Sequence, residues 1–67
     1  MTKLKKIRKS KNISCETMSN TLNISKTFYW QIESMQRRLA YDMAIKIAKI
    51  FNMTPDELFL EDYLKQG

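Results

Sequence analysis

Ser14-Cys15-Glu16-Thr17-Met18-Ser19-Asn20-Thr21-Leu22-Asn23-Ile24-Ser25-Lys26-Thr27-Phe28-Tyr29-Trp30-Gln31-Ile32-Glu33-Ser34 is the stretch on which the reading of this chain turns. Ser14 and Ser25 each precede a run with helical spacing, and a serine hydroxyl there can accept from the unpaired amides of a first helical turn. Between the runs stands Asn23, and Asn is second only to Gly in adopting the left-handed conformation that closes a helix. Met18 and Leu22 lie four apart on the first run, and Tyr29 and Ile32 three apart on the second, so each run has one apolar side. Two helices, Cys15–Leu22 and Lys26–Ser34, are therefore expected to meet across a tight turn. Phe28, Tyr29 and Trp30 are consecutive and cannot all face inward, because neighbours on a helix are rotated by about 100°. Phe28 or Trp30 should be exposed, either as the rim of a small core or as a contact surface.

The rest of the chain reads outward from this centre. Leu4 and Ile7, one turn apart among basic residues, predict an amphipathic helix from Thr2 to Lys11, ended at Lys11-Asn12. Beyond the loop from Met35 to Leu39, Ala44, Ile47, Ala48 and Phe51 follow helical spacing and predict a fourth helix over residues 40–51, stopped by a left-handed Asn52. Thr54-Pro55-Asp56-Glu57 supplies an N-cap, a proline at the first helical position and a glutamate three residues after the threonine, which together start a fifth helix. Leu58 and Phe59 serve its inner side. Leu60, Tyr63 and Leu64 then leave more apolar surface than a thin core needs, to be buried by self-association or folded back on the monomer.

Composition sets bounds on what such a chain can do. Its 67 residues carry 12 Lys and Arg against 7 Asp and Glu, for a net charge of +5. At about 100–200 residues per domain, one domain over residues 1–67 is expected, with its core over about 3–60 and a tail over 61–67. A chain near this size buries only about 60% of its unfolded surface, which leaves no room for a large substrate cavity. With no His, one Cys and no cluster of metal-ligating residues, no metal, no cofactor and no enzymatic activity are expected. A lone Cys15 forms no internal disulfide and reads most simply as a small packing residue. The basic start, Met1 to Lys9, is followed by no apolar run of about 7–15 residues, so neither export nor a membrane span is expected, and the expected location is cytoplasmic.

The charge is also unevenly spread. Residues 1–40 carry +7 and residues 41–67 carry −2. That asymmetry fits a chain with one side turned to a polyanion, although a solvated face or a membrane surface would carry it as well.

Five short helices with a tight turn between the second and third narrow the choice. The runs Ile13 to Ser25, Ile32-Glu33 and Ile47 to Phe59 resemble the phage-repressor type of helix-turn-helix proteins, the Xre or Cro family, over roughly residues 4–60. In that family a small residue sits inside the first motif helix, a Gly closes it and a β-branched residue or Leu follows. Ser19, Asn23 and Ile24 stand at those places. The resemblance implies an all-α, compact five-helix domain of the lambda-repressor-like DNA-binding fold, with its helix-turn-helix at helices 2 and 3.

Carried over residue by residue, the resemblance sets Lys26, Thr27 and Gln31 at positions that face base edges, with Trp30 beside them. Lys can reach guanine acceptors, Gln can bond bidentately to adenine, and Thr offers a hydroxyl and a methyl. Ser14, Ser34 and Arg38 match positions that hold the sugar-phosphate backbone, and Arg37 stands next to them. Cys15 occupies the place of a Gln that touches phosphate, and Met35 that of a Gly after the recognition helix. Arg8 and Glu33 match a pair that bridges the first and third helices. Phe59, Leu60, Tyr63 and Leu64 are the apolar residues available where relatives dimerise. Lys3, Lys5, Lys6, Lys9 and Lys11 match no family position and are read only as a sequence-independent field.

The expectation is a sequence-specific double-stranded DNA-binding transcription regulator from a bacterium or phage. It would be a homodimer that represses by reading a pseudo-palindromic operator in the major groove. The rival is a protein-interaction module, antitoxin-like or antirepressor-like, that keeps the fold but turns Phe28 and Trp30 to a protein partner.

Overall fold

A computed structural model of the chain describes residues 1–66; Gly67, the end of the expected tail, lies outside the described residues. Helix α1 spans Lys3–Ser10, α2 Cys15–Leu22, α3 Lys26–Glu33 and α4 Tyr41–Ile50. The fifth helix, α5, starts as a π-helical stretch, Asp56–Leu60, and continues directly as the α-helix Glu61–Gln66. No strand occurs among the described residues, and the fold is a compact all-α bundle of five helices. The expected helices fall within one residue of those observed at α1, α3 and α4, because Thr2, Lys11, Ser34, Ala40 and Phe51 are caps and not helical residues.

The starts of the helices follow from hydroxyl chemistry. The amides of Lys5, Thr17 and Phe28 donate to the hydroxyls of Thr2, Ser14 and Ser25 at 3.3, 3.0 and 3.0 Å. At α5 the cap is reciprocal: the Glu57 amide donates to Thr54 Oγ1 at 3.2 Å and the Thr54 amide donates to Glu57 Oε1 at 2.8 Å. Only α4 begins at Ala40 with no side-chain cap. Among the described residues, no helix is long and apolar enough to cross a membrane.

The ends of the first four helices are alike. Asn12, Asn23, Met35 and Asn52 take positive φ, between 56° and 61°, just past α1, α2, α3 and α4. The following amides, of Ile13, Ile24, Gln36 and Met53, reach back to the carbonyls of Arg8, Ser19, Gln31 and Ala48. Asn supplies the left-handed residue at three of these ends; at the fourth it is Met, where a side chain opposes the conformation. The chain thereby reverses in four and three residues at the first two turns, which keeps α2 and α3 in direct contact.

The core draws one or more residues from every helix: Leu4, Met18, Tyr29, Ile32, Ile47, Ala48 and Leu58. The apolar pairs read from spacing lie inward as expected, Ile7, Leu22 and Phe51 being half-buried against this core. Two polar ties join the chain's beginning to its distant parts. The Thr2 hydroxyl donates to the Glu33 carbonyl at 2.9 Å, and the Lys3 amide donates to Asp62 Oδ2 at 2.9 Å. The first and last helices are thus held together beneath α3.

Candidate nucleic-acid interface

Helix α3 is held in place from below. Tyr29, Ile32 and Glu33 face the interior, which turns Lys26, Thr27 and Trp30 outward on the opposite side. Lys26 and Thr27 are exposed, Trp30 is 53% exposed and Gln31 is half-buried. The four residues expected to read bases therefore share the solvent side of one helix, at its first two turns. Phe28 lies half-buried with the Arg37 guanidinium 4.4 Å over its ring. Two positions apart on a helix are rotated by about 200°, so Phe28 and Trp30 form no joint aromatic surface.

The same Arg37 donates from Nε to Gln31 Oε1 at 3.1 Å. Arg37 is thus engaged with two side chains of α3, a role that sequence order did not suggest. Gln31 keeps its amide donors and one oxygen lone pair for a partner. Arg38, by contrast, is exposed and lines a groove between α4 and α5, away from the hollows at Trp30.

Beneath Trp30 lies an ion pair. Arg8 Nε donates to both oxygens of Glu33, at 3.0 and 3.1 Å, and the two side chains are 9% and 3% exposed. Arg8 Nη1 also donates to the Ile13 carbonyl at 2.7 Å, so one guanidinium fixes α1, α3 and the turn before α2. Burial pushes the Arg8 guanidinium down, and the hydrogen bond and charge of Glu33 more than offset it, leaving it above its ordinary value. The Arg8 guanidinium accordingly stays charged and is locked onto Glu33, which suits the structural pairing expected of the two residues.

Cys15 opens α2 beside this pair, half-buried, with its Sγ–H toward Glu33 Oε2 at 3.5 Å. Burial pushes the thiol up, Glu33 adds to that, and Arg8 and Lys26 oppose it. Cys15 is therefore a neutral, poorly nucleophilic thiol at neutral pH. Tyr29 lies in the same neighbourhood with its hydroxyl buried and, among the described residues, without a hydrogen-bond partner. Burial, then the charge of Glu33, pushes its phenol far above the ordinary range.

The backbone-facing candidates divide into two kinds. Ser14 is exposed and caps α2, so its oxygen already accepts from the Thr17 amide and its hydroxyl donates to Thr17 Oγ1 at 3.0 Å. Ser34 is half-buried and donates to the Trp30 carbonyl at 2.7 Å, which tightens the last turn of α3. Both stand at the ends of the two central helices, where main-chain amides and hydroxyls meet solvent.

Two basic residues without a motif position join the site in space. Lys5 and Lys9 of α1, with Cys15, Trp30 and Ser34, line a hollow of about 310 Å³ directly over the Arg8–Glu33 pair. A signal for them was present: they are four apart, on the side of α1 that carries Arg8. With Lys26 at the neighbouring hollow, lysines border Trp30 on two sides. Of the acidic residues of α5, Glu61 and Asp62 lie at another hollow, with Lys3, Lys6 and Lys65.

The expected association residues form a second, apolar region. Phe59 is half-buried, while Leu60, Tyr63 and Leu64 are 48%, 41% and 71% exposed. With Leu39, Tyr41 and Ala44, the first three of these line a groove of about 360 Å³ between α4 and α5. Tyr41, 75% exposed on α4, belongs to this apolar region although its sequence context marked it only as the start of a helix.

A two-helix unit with its second helix presented to solvent beside lysines has the form of a DNA-reading element. No curated protein and no solved structure matches the chain. A family model described as a helix-turn-helix domain matches residues 2–64, nearly the whole sequence. The chain belongs to the helix-turn-helix domain family and is a DNA-binding protein of that kind.

Proposed function

We propose that the protein is a transcription regulator of the phage-repressor, Xre or Cro type, which binds a specific double-stranded sequence as a homodimer and represses by occupying it. The observation that carries this reading is the outward set Lys26, Thr27, Trp30 and Gln31 on α3, exposed or half-exposed while Tyr29, Ile32 and Glu33 anchor the helix from behind. A helix held in this way can enter a major groove without rearrangement. Ser14 and Ser34 flank it at helix ends, with Cys15, Lys5 and Lys9 adjoining, and the main-chain amides and lysines there contact phosphates on either side of the reading helix. Arg37 orients Gln31 from the following loop, and Arg38 reaches backbone further along.

The dimer forms through Phe59, Leu60, Tyr63 and Leu64 together with the groove at Tyr41. The two recognition helices then stand about 34 Å apart, on successive turns of a pseudo-palindrome. The protein works in the cytoplasm, on the nucleoid, and needs no cofactor.

Selection of duplexes from a random library tests this directly, run on the wild type and on Gln31→Ala in parallel. The expected result is a pair of half-sites related by two-fold symmetry, with the preference at one position relaxed by the substitution. Salt dependence is the companion measurement: with four phosphates neutralised, log affinity falls against log salt with a slope of about −3.6. If no sequence is enriched and binding is insensitive to salt, the reading is wrong and a protein partner takes its place.

A further inference from the structure

Arg37, on the loop between α3 and α4, is exposed, yet its guanidinium is held at two points. It lies 4.4 Å over the Phe28 ring and, through Nε, 3.1 Å from Gln31 Oε1. A guanidinium donates and never accepts, so what it holds on Gln31 is the carbonyl oxygen, and the amide nitrogen is turned away from it. Among the described residues the two Nη groups of Arg37 make no hydrogen bond and no ion pair. The two side chains together therefore present donors, from the Gln31 amide nitrogen and from the Arg37 Nη groups.

Such a set discriminates between base edges. An unheld glutamine pairs with adenine by accepting from N6 and donating to N7. Here the oxygen already accepts from Arg37, and its remaining lone pair is on an atom 3.1 Å from the guanidinium, where a base amino group would meet like donors. The same conflict opposes the amino group of cytosine. Thymine presents one acceptor, O4, and guanine two, N7 and O6, so guanine matches the donor set best. The neighbours leave this choice in place. Thr27, one turn before Gln31, carries a hydroxyl that can donate or accept, and the Ser34 hydroxyl, one turn after it, is engaged with the Trp30 carbonyl.

We propose that Arg37 is a specificity-determining residue, which fixes the amide of Gln31 and thereby turns the base read there from adenine to guanine. The inference rests on the DNA-binding reading above and adds to it which base the site selects and which loop residue makes the selection.

The test takes a duplex selected by the wild type and varies, through all four base pairs, the position at which Gln31→Ala relaxes the preference. The wild type should bind guanine there more tightly than adenine by at least about fivefold, the lower end for a bidentate base contact. 7-Deazaguanine, which lacks the N7 acceptor, should lose most of that advantage. Arg37→Ala should bind adenine at least as well as guanine, because the amide is then free to turn. Arg37→Lys keeps the charge without the planar fork, and should lose the preference while the salt dependence of binding stays that of the wild type.

Circular dichroism shows whether each variant is folded, and the 7-deazaguanine comparison uses wild-type protein alone. An adenine preference in the wild type overturns the inference, as does an unchanged guanine preference in folded Arg37→Ala. A uniform loss over all four base pairs in Arg37→Ala, with the preference intact and the salt slope smaller by about 0.9, makes Arg37 a phosphate contact and overturns it too. If Gln31→Ala relaxes no position, Gln31 reads no base and the inference falls. Each of these outcomes leaves duplex binding intact. Failure of the wild type to enrich any duplex at low salt overturns the DNA-binding reading itself, and the inference with it.

Discussion

At the scale of single residues, the Arg8–Glu33 pair is the interaction on which the position of α3 depends. Both side chains are buried, and removing one leaves the other charged without a partner, at a cost of about 3–5 kcal/mol. Arg8→Met and Glu33→Leu should each be strongly destabilised in urea unfolding followed by circular dichroism. The double variant should recover much of that loss, because no uncompensated charge remains. Recovery should be incomplete, since the Ile13 carbonyl and the Cys15 thiol lose their partners too. Additive single effects below about 1 kcal/mol would show a pair with the worth of a surface bridge. The residues were visible in the sequence through the resemblance, but their meeting is a tertiary fact, joining positions 25 apart.

At the scale of elements, helix ends are where this chain is most legible and most sensitive. Four helices close on a left-handed residue, three of them Asn, and replacing Asn23 with Ala should cost about 1–2 kcal/mol while Asn23→Gly costs little. Thermal unfolding of the two variants separates the conformational effect from loss of the amide side chain. The start of α5 adds a dependence on pH. The amide and hydroxyl of Thr54 hold the Glu57 carboxyl below the usual carboxylate range. A group whose folded value is depressed contributes stability above its unfolded value, near about 4.3, and loses it as pH falls through the folded value. The midpoint of thermal unfolding should therefore drop on acidification more steeply in the wild type than in Glu57→Gln, which keeps an acceptor but does not titrate. Equal acid profiles would remove Glu57 from the account.

At the scale of the whole molecule, one face carries lysines beside α3, and another, between α4 and α5, is apolar. Leu60 and Leu64 lie on the second, well exposed. Replacing both with Asp should shift the mass in sedimentation at micromolar protein from dimer to monomer, with the helical content unchanged. Binding to paired half-sites should weaken far more than binding to a single half-site, because linkage of two reading helices is what is lost. An unchanged mass would send the interface elsewhere. The bonds from Thr2 to Glu33 and from Lys3 to Asp62 connect the two faces through the start of α1.

The order of helices, the caps at Ser14, Asn23, Ser25, Asn52 and Thr54 and the apolar pairs that turn inward were determined by the sequence alone, because each depends on neighbours within four positions: a hydroxyl before an amide, an Asn able to adopt positive φ, apolar residues at helical spacing. The outward set on α3 was legible through the family resemblance, which names positions along one helix. The hollows beside Trp30, the place of Lys5 and Lys9, the turn of Arg37 onto Gln31 and Phe28, and the contribution of Tyr41 to the apolar groove were decided only by tertiary structure. Each of these joins side chains from different elements or across a loop, and helical periodicity carries no information about which faces meet. The π-helical winding at the start of α5 belongs with them, since its capping residues alone are compatible with an ordinary α-helix.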